Sequence, residues 1–168
     1  TVYYSDRYND SLFTGASAGT LAVGSEVTGL KTFRDELIVF SQRSISKLIN
    51  INSSSTIAIQ DVTRNIGCLD GFSIQEIGGD LVFLAPDGIR TVAATARIDH
   101  IEFSSISHKI IPVINELVID VDNYDVSSAV IRTQNQYRLF YTKSATSKLS
   151  QKGIVGTFKI NAQGIPVW

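Results

Sequence analysis

Between Leu21 and Ala93 the chain runs through one plan twice, and the spacing of the two copies is what most restricts its fold. The first copy reads Val27–Phe33, a turn at Arg34-Asp35-Glu36, Leu37–Ser41, a turn at Gln42-Arg43-Ser44, and Ile45–Ile51, ending at the polar stretch 52–55. The second reads Phe72–Ile77, a turn at Gly78-Gly79-Asp80, Leu81–Ala85, a turn at Pro86-Asp87-Gly88, and Ile89–Ala93. They superpose at an offset of 44 residues: Leu30 on Ile74, Phe33 on Ile77, Leu37-Ile38-Val39-Phe40 on Leu81-Val82-Phe83-Leu84, Ser44-Ile45 on Gly88-Ile89, and Leu48 on Val92. Identities are few, and what recurs is the pattern. Short apolar runs bounded by turn residues are the signature of strands and hairpins. Pro presets φ and Gly accepts a positive φ, so Pro-Asp-Gly and Gly-Gly-Asp are turns with a mechanism. A third, weaker copy runs through Ala129–Arg132, a turn at Thr133–Gln136, and Tyr137–Thr142, where Tyr137, Leu139 and Tyr141 alternate with polar residues as on a half-buried strand.

A repeat of roughly 40–50 residues with three to four antiparallel strands is the size of a β-propeller blade. One such sheet cannot cover both of its faces, and stacking copies around an axis does. Closure takes roughly four to eight blades, so three copies predict an incomplete propeller. An antiparallel sandwich with look-alike hairpins satisfies the same pattern, and the sequence leaves both open. The expected fold is all-β and mainly antiparallel. Residues 1–20 read as an N-terminal arm and loop, and residues 21–168 as a β-rich domain with blade-like units at about 21–51, 66–93 and 127–168. One short helix is expected near 104–118, because Ile106, Ile110, Val113, Ile114 and Leu117 fall at helical spacing. Ser104 or Ser105 would cap its start, and Pro112 either kinks it or begins it. Ile154–Ile160 and Ile165–Trp168 read as further strand.

Composition narrows the partners. Apolar residues make up 43% of the 168 and charged residues 18%, too apolar for a disordered chain and lean in charge for a fully wetted surface. A surface partly covered by neighbours fits. The formal net charge of −1 lacks the basic excess of phosphate binders. Cys68 is the single cysteine, so no internal disulfide forms. No apolar run approaches the roughly 20 residues of a membrane-spanning helix. The absence of Met predicts a piece of a longer or processed chain, ending within a fold at Trp168.

Few residues offer chemistry. Asp99-His100-Ile101-Glu102 sets His100 and Glu102 on one face of a strand, and His108 falls on another element. Two ligands do not make a metal site. Asp120-Val121-Asp122-Asn123-Tyr124-Asp125 has three carboxylates but neither the Gly nor the Glu of a calcium-binding EF-hand loop, which favours a polar turn between helix and strand. Cys68 has no basic neighbour in sequence to activate it and reads as a small core residue. No nucleophile elbow is present, and Gly78-Gly79 lacks the Lys of a phosphate loop. The sequence therefore nominates no catalytic, cofactor-binding or metal-binding residue, and predicts a protein that is not an enzyme and needs no cofactor.

The hairpin Gly29-Leu30-Lys31-Thr32-Phe33-Arg34-Asp35-Glu36-Leu37-Ile38-Val39-Phe40-Ser41 resembles a segment of bacteriophage tail proteins that contain β-propellers, including the nozzle-type proteins of short-tailed phages. So does the run Asn65-Ile66-Gly67-Cys68, followed by Gly78-Gly79-Asp80-Leu81-Val82-Phe83-Leu84-Ala85-Pro86-Asp87-Gly88-Ile89-Arg90 and then by Ser104-Ser105-Ile106-Ser107 before a helix. The resemblance covers roughly residues 27–118, and the family's members are several times longer. It implies a non-enzymatic virion structural protein of the tail or head–tail connector, assembled in the host cytoplasm. Its partners would be further copies of itself, in a homo-oligomeric ring around the DNA channel, and neighbouring tail or connector proteins. DNA would pass without specific binding, for which a near-zero net charge is suited. The alternative is a carbohydrate- or peptide-binding propeller or sandwich module, suggested by Tyr3, Tyr4, Tyr8 and Tyr124 as aromatic platforms. A hydrolase on a β scaffold needs a paired acid and base, and none can be named.

Overall fold

The structure, a computed structural model, describes residues 1–53, 55–97, 107, 110–143, 151–160 and 166–167. The chain divides into two compact units, Thr1–Cys68 and Leu69–Trp168.

In the first unit, β1 (Val2–Tyr4) pairs antiparallel with β2 (Gly19–Leu21). Residues 1–20 are thus more than an arm: they begin with a strand. The unit is dominated by a four-stranded meander in sequence order, β3 (Val27–Phe33), β4 (Glu36–Ser41), β5 (Ile45–Ile49) and β6 (Ala58–Thr63). Only Arg34 and Asp35 form the first turn, both at positive φ (49° and 62°), because Glu36 already pairs with Phe33. Two consecutive positive-φ residues give the primed turn whose twist suits a two-residue hairpin. The last strand was hidden in the sequence, because Gln60 and Asp61 interrupt its apolar character at the edge of the sheet. Side chains alternate across a strand. Val39 and Leu48 pack with Val2 on one face, joined by Leu21, Val23, Val27, Leu37 and Ile59. Ile38, Phe40 and Ile45 are buried as well, so β4 is covered on both faces.

The second unit opens with a three-stranded meander, β7 (Gln75–Ile77), β8 (Asp80–Ala85) and β9 (Gly88–Thr91). The predicted strand Phe72–Ile77 is shorter because Gly71–Ser73 forms a 3-10 turn capped by Asp70, whose carboxylate accepts the Phe72 N–H at 2.7 Å. The predicted strand Ile89–Ala93 ends at Thr91, where α1 (Val92–Arg97) begins. The Ala-rich sequence favours helix there, and the Asp80 carboxylate accepts the Ala93 N–H at 3.1 Å. The next helix, α2 (Ile111–Ile119), holds Pro112 in its first turn, where the missing N–H costs nothing. It supplies the C-terminal half of the helix expected near 104–118; the capping serines Ser104 and Ser105 lie outside the described residues. A second three-stranded meander follows: β10 (Tyr124–Ile131), β11 (Gln136–Lys143) and β12 (Lys152–Thr157). The short strands β13 (Lys159–Ile160) and β14 (Pro166–Val167) pair with each other. Every strand pairing is antiparallel, and no closed propeller is present among the described residues.

The 44-residue repeat is a repeat of register. In the first unit Phe33 faces Glu36, Thr32 faces Leu37 and Lys31 faces Ile38. In the second, Ile77 faces Asp80, Glu76 faces Leu81 and Gln75 faces Val82. Across the next pair of strands, Phe40–Ile45, Val39–Ser46 and Ile38–Lys47 become Leu84–Ile89, Phe83–Arg90 and Val82–Thr91. Gly78 and Gly79 take positive φ (62° and 77°) at the positions of Arg34 and Asp35, giving the same turn. The third meander departs: its first turn spans Arg132–Asn135, a 3-10 turn closed by Asn135 in the left-handed region.

One core joins the two meanders of the second unit. Ile77, Val82, Leu84 and Ile89 pack with Val126, Tyr137, Leu139, Tyr141 and Ile154, and α2 adds Ile114 and Leu117. Each such side chain contributes about 1.5–3 kcal/mol when fully buried. Polar bonds add direction: the Tyr137 hydroxyl donates to Ser73 O at 2.7 Å, and Gln75 Nε2 donates to Ser128 O at 3.1 Å. Leu81, Phe83 and Ala85, on the other face of β8, are also fully buried. Like β4, this middle strand is covered on both sides.

Candidate functional site

The residues singled out in the sequence scatter. Asp99, His100, Glu102 and His108 lie outside the described residues. The acidic run 120–125 forms a 3-10 turn, Val121–Asn123, between α2 and β10. Asp120 accepts a hydrogen bond from Asn123 Nδ2 and lies 3.3 Å from Lys143 Nζ, and both hold its carboxyl below the ordinary range. That carboxylate is engaged within the fold, and no metal-holding group of three His, Cys, Asp or Glu occurs among the described residues. Cys68 is fully buried, and its N–H donates to Ser41 O at 2.8 Å. Beside it, a Cβ on Gly67 would stand 2.0 Å from Ser41 O and 2.5 Å from Arg43 N. The Ile-Gly-Cys step is a place where backbone lies on backbone, which only Gly permits.

Asp87-Gly88-Ile89-Arg90 likewise has a structural part. Gly88 adopts φ 136° at the end of the turn. Arg90 is almost wholly buried, and Asp87 grips its guanidinium with both oxygens, Nε to Oδ1 at 2.6 Å and Nη2 to Oδ2. A buried cation needs such a bidentate partner.

The four tyrosines divide. Tyr124 packs edge-to-face on Tyr141, with centroids 5.5 Å apart, and lies half-buried against the core of the second unit. Tyr3 is exposed, while Tyr4 and Tyr8 line a groove of about 790 Å³ in the first unit. Leu37 and Leu48 from β4 and β5, with Ile51 and Ile57 from the loop before β6, make the apolar part of its lining, and residues 5–10, Ser17 and Asn52 make the polar part. Asp6 organises the loop. Its carboxylate accepts the Tyr8 N–H at 3.0 Å, the Ser17 hydroxyl at 2.9 Å and the Ser17 N–H at 3.3 Å. These bonds, the Tyr8 N–H foremost, lower its pKa. Gly15 leaves room for that carboxylate, since a Cβ there would fall 2.3 Å from Asp6 Oδ2. Gly19 does the same for the Tyr4 ring, whose hydroxyl would otherwise lie 2.4 Å from the added carbon. The Arg7 guanidinium sits 5.8 Å from the centre of the Tyr8 ring, a cation–π contact. Sequence reading found the tyrosines but missed Asp6, Ser17 and Asn52. The one local signal was an Asp two residues before Tyr8, the spacing of a side-chain-to-backbone turn.

No protein-family model matches the chain, and no curated protein matches it in sequence. No helix among the described residues is long and apolar enough to cross a membrane.

Proposed function

We propose that this protein is a non-enzymatic structural component of a bacteriophage tail or head–tail connector, built from propeller-like blades and working by packing sheet on sheet in a ring. One observation carries the reading: two meanders 44 residues apart share three residue pairings between their first and middle strands and three between their middle and next strands, and each has a middle strand buried on both faces. A sheet made to be covered on both sides is a stacking element, as a blade is. The polar groups support a structural role too. Asp87, Arg90, Asp120 and Ser73 are spent on turns, caps and ion pairs within the fold. The tail assignment rests on the order of hairpin, Ile-Gly-Cys step and Asp-Gly-Ile-Arg hairpin described above.

Self-association tests the reading. Sedimentation velocity across a hundredfold concentration range should show a discrete homo-oligomer, and negative-stain images should show rings with a central opening. A monomer at every concentration, with no binding to tail or connector proteins encoded beside its gene, would overturn it.

A further inference from the structure

We propose that the groove of the first unit binds a neutral oligosaccharide, with Tyr8 as the stacking platform. Sugars present an apolar face of C–H bonds and a rim of hydroxyls that both donate and accept. A fitting site pairs an aromatic ring with short polar side chains over an apolar floor. Tyr8 is 88% exposed, and Arg7 lies against its ring. Asn52 is exposed and lines the same groove, and its amide can donate and accept at once. The size is right: about 790 Å³ falls within the range of small-molecule sites.

Charge selects among occupants. Asp6 and Asp10 outnumber Arg7 in the lining, so polyanions such as nucleic acid or sulfated glycans are disfavoured. The two strands under the groove, β4 and β5, have both edges paired, but β1, which brings Tyr4 to it, pairs with β2 alone among the described residues, so binding of an extended peptide in preference to every neutral sugar would overturn the proposal. The wall is also set in advance, because Asp6 ties residue 8 to residue 17 through three hydrogen bonds, and a preformed loop does not lose order on binding. The proposal does not rest on the ring reading, since it is argued from the lining and charge of the groove alone.

The test is a glycan array of neutral gluco-, manno- and galacto-oligosaccharides beside sulfated and sialylated ones, probed with the intact protein. Binding to the best neutral hexasaccharide is then measured by calorimetry. Tyr8→Ala should weaken that binding about ten-fold, the loss of roughly 1.4 kcal/mol that one stacking ring can supply. Asn52→Ala should weaken it several-fold. Phe72→Ala, which removes an aromatic ring 76% exposed in the second unit, should leave it unchanged. Circular dichroism confirms that the variants fold. The proposal is overturned by no neutral hit at millimolar sugar, by hits confined to acidic glycans, or by full binding in Tyr8→Ala.

Discussion

Asp70 shows how one side chain can serve the fold at a cost. Its carboxylate caps the 3-10 turn by accepting the Phe72 N–H, yet burial pushes its pKa upward. A carboxyl raised in the folded state binds its proton more tightly there than in the unfolded chain. Stability from this group is therefore fullest at low pH and declines as pH rises from the ordinary carboxyl value of 3.8 through the folded value. Asp70→Asn keeps the capping oxygen and removes the buried charge. Urea unfolding at pH 7 should find it at least as stable as the parent. Asp70→Ala loses the cap and should be less stable by about 1 kcal/mol. Of the residue-scale features, the sequence disclosed those with a fixed chemical habit. Cys68 was read as a small core residue and is fully buried. The load on Asp6 was not legible, because Ser17 approaches it from eleven positions away.

At the scale of elements, the hairpins were legible because their turns carry their own chemistry. The register of β7, β8 and β9 follows from Gly-Gly and Pro-Asp-Gly, and the equivalent β3–β4 turn is built from Arg34 and Asp35, residues that pay for positive φ. Arg34→Asn with Asp35→Gly should therefore stabilise the protein by about 1 kcal/mol, seen as a rise in Tm with an unchanged circular dichroism spectrum. The opposite outcome is expected at the next hairpin. Asp87→Ala takes both oxygens from a guanidinium that is 1% exposed and should cost about 2–3 kcal/mol in urea unfolding. Arg90→Met should cost less, because it leaves no buried charge behind. Elements without turn chemistry were misjudged. Sequence pattern alone does not show the edge strand β6 and reads the start of α1 as the end of a strand, since Val92 and Ala93 suit either state and the capping carboxylate, Asp80, sits thirteen residues before Ala93.

For the whole molecule, acid should act through three carboxyls held below their usual range. Asp6 is lowered by the Tyr8 N–H and Ser17, Asp61 by Arg64 and Ser46, and Asp120 by Asn123 and Lys143. For each, the folded state binds its proton less tightly than the unfolded chain. The stability they supply is complete above pH 3.8 and disappears as pH falls through the folded values. Thermal melts should thus show Tm falling as pH drops below about 4, with Asp70 opposing the trend. In Asp6→Asn the drop should be shallower. A Tm flat between pH 5 and pH 2 would contradict this account. Two of these carboxyls, Asp6 and Asp61, lie in the first unit and Asp120 in the second, so both units should respond.

The sequence by itself determined an antiparallel β chain, its hairpin turns, and a plan recurring at 44 residues, because turn preference and alternation act between neighbours a few positions apart. Tertiary structure decided what depends on distant partners. It covered both faces of β4 and β8, ended β9 in a helix, paired Val2–Tyr4 with Gly19–Leu21, and left Tyr8 beside a groove while packing Tyr124 against a core. A side chain's surroundings come from residues brought together by burial, and no local pattern records which ones those will be.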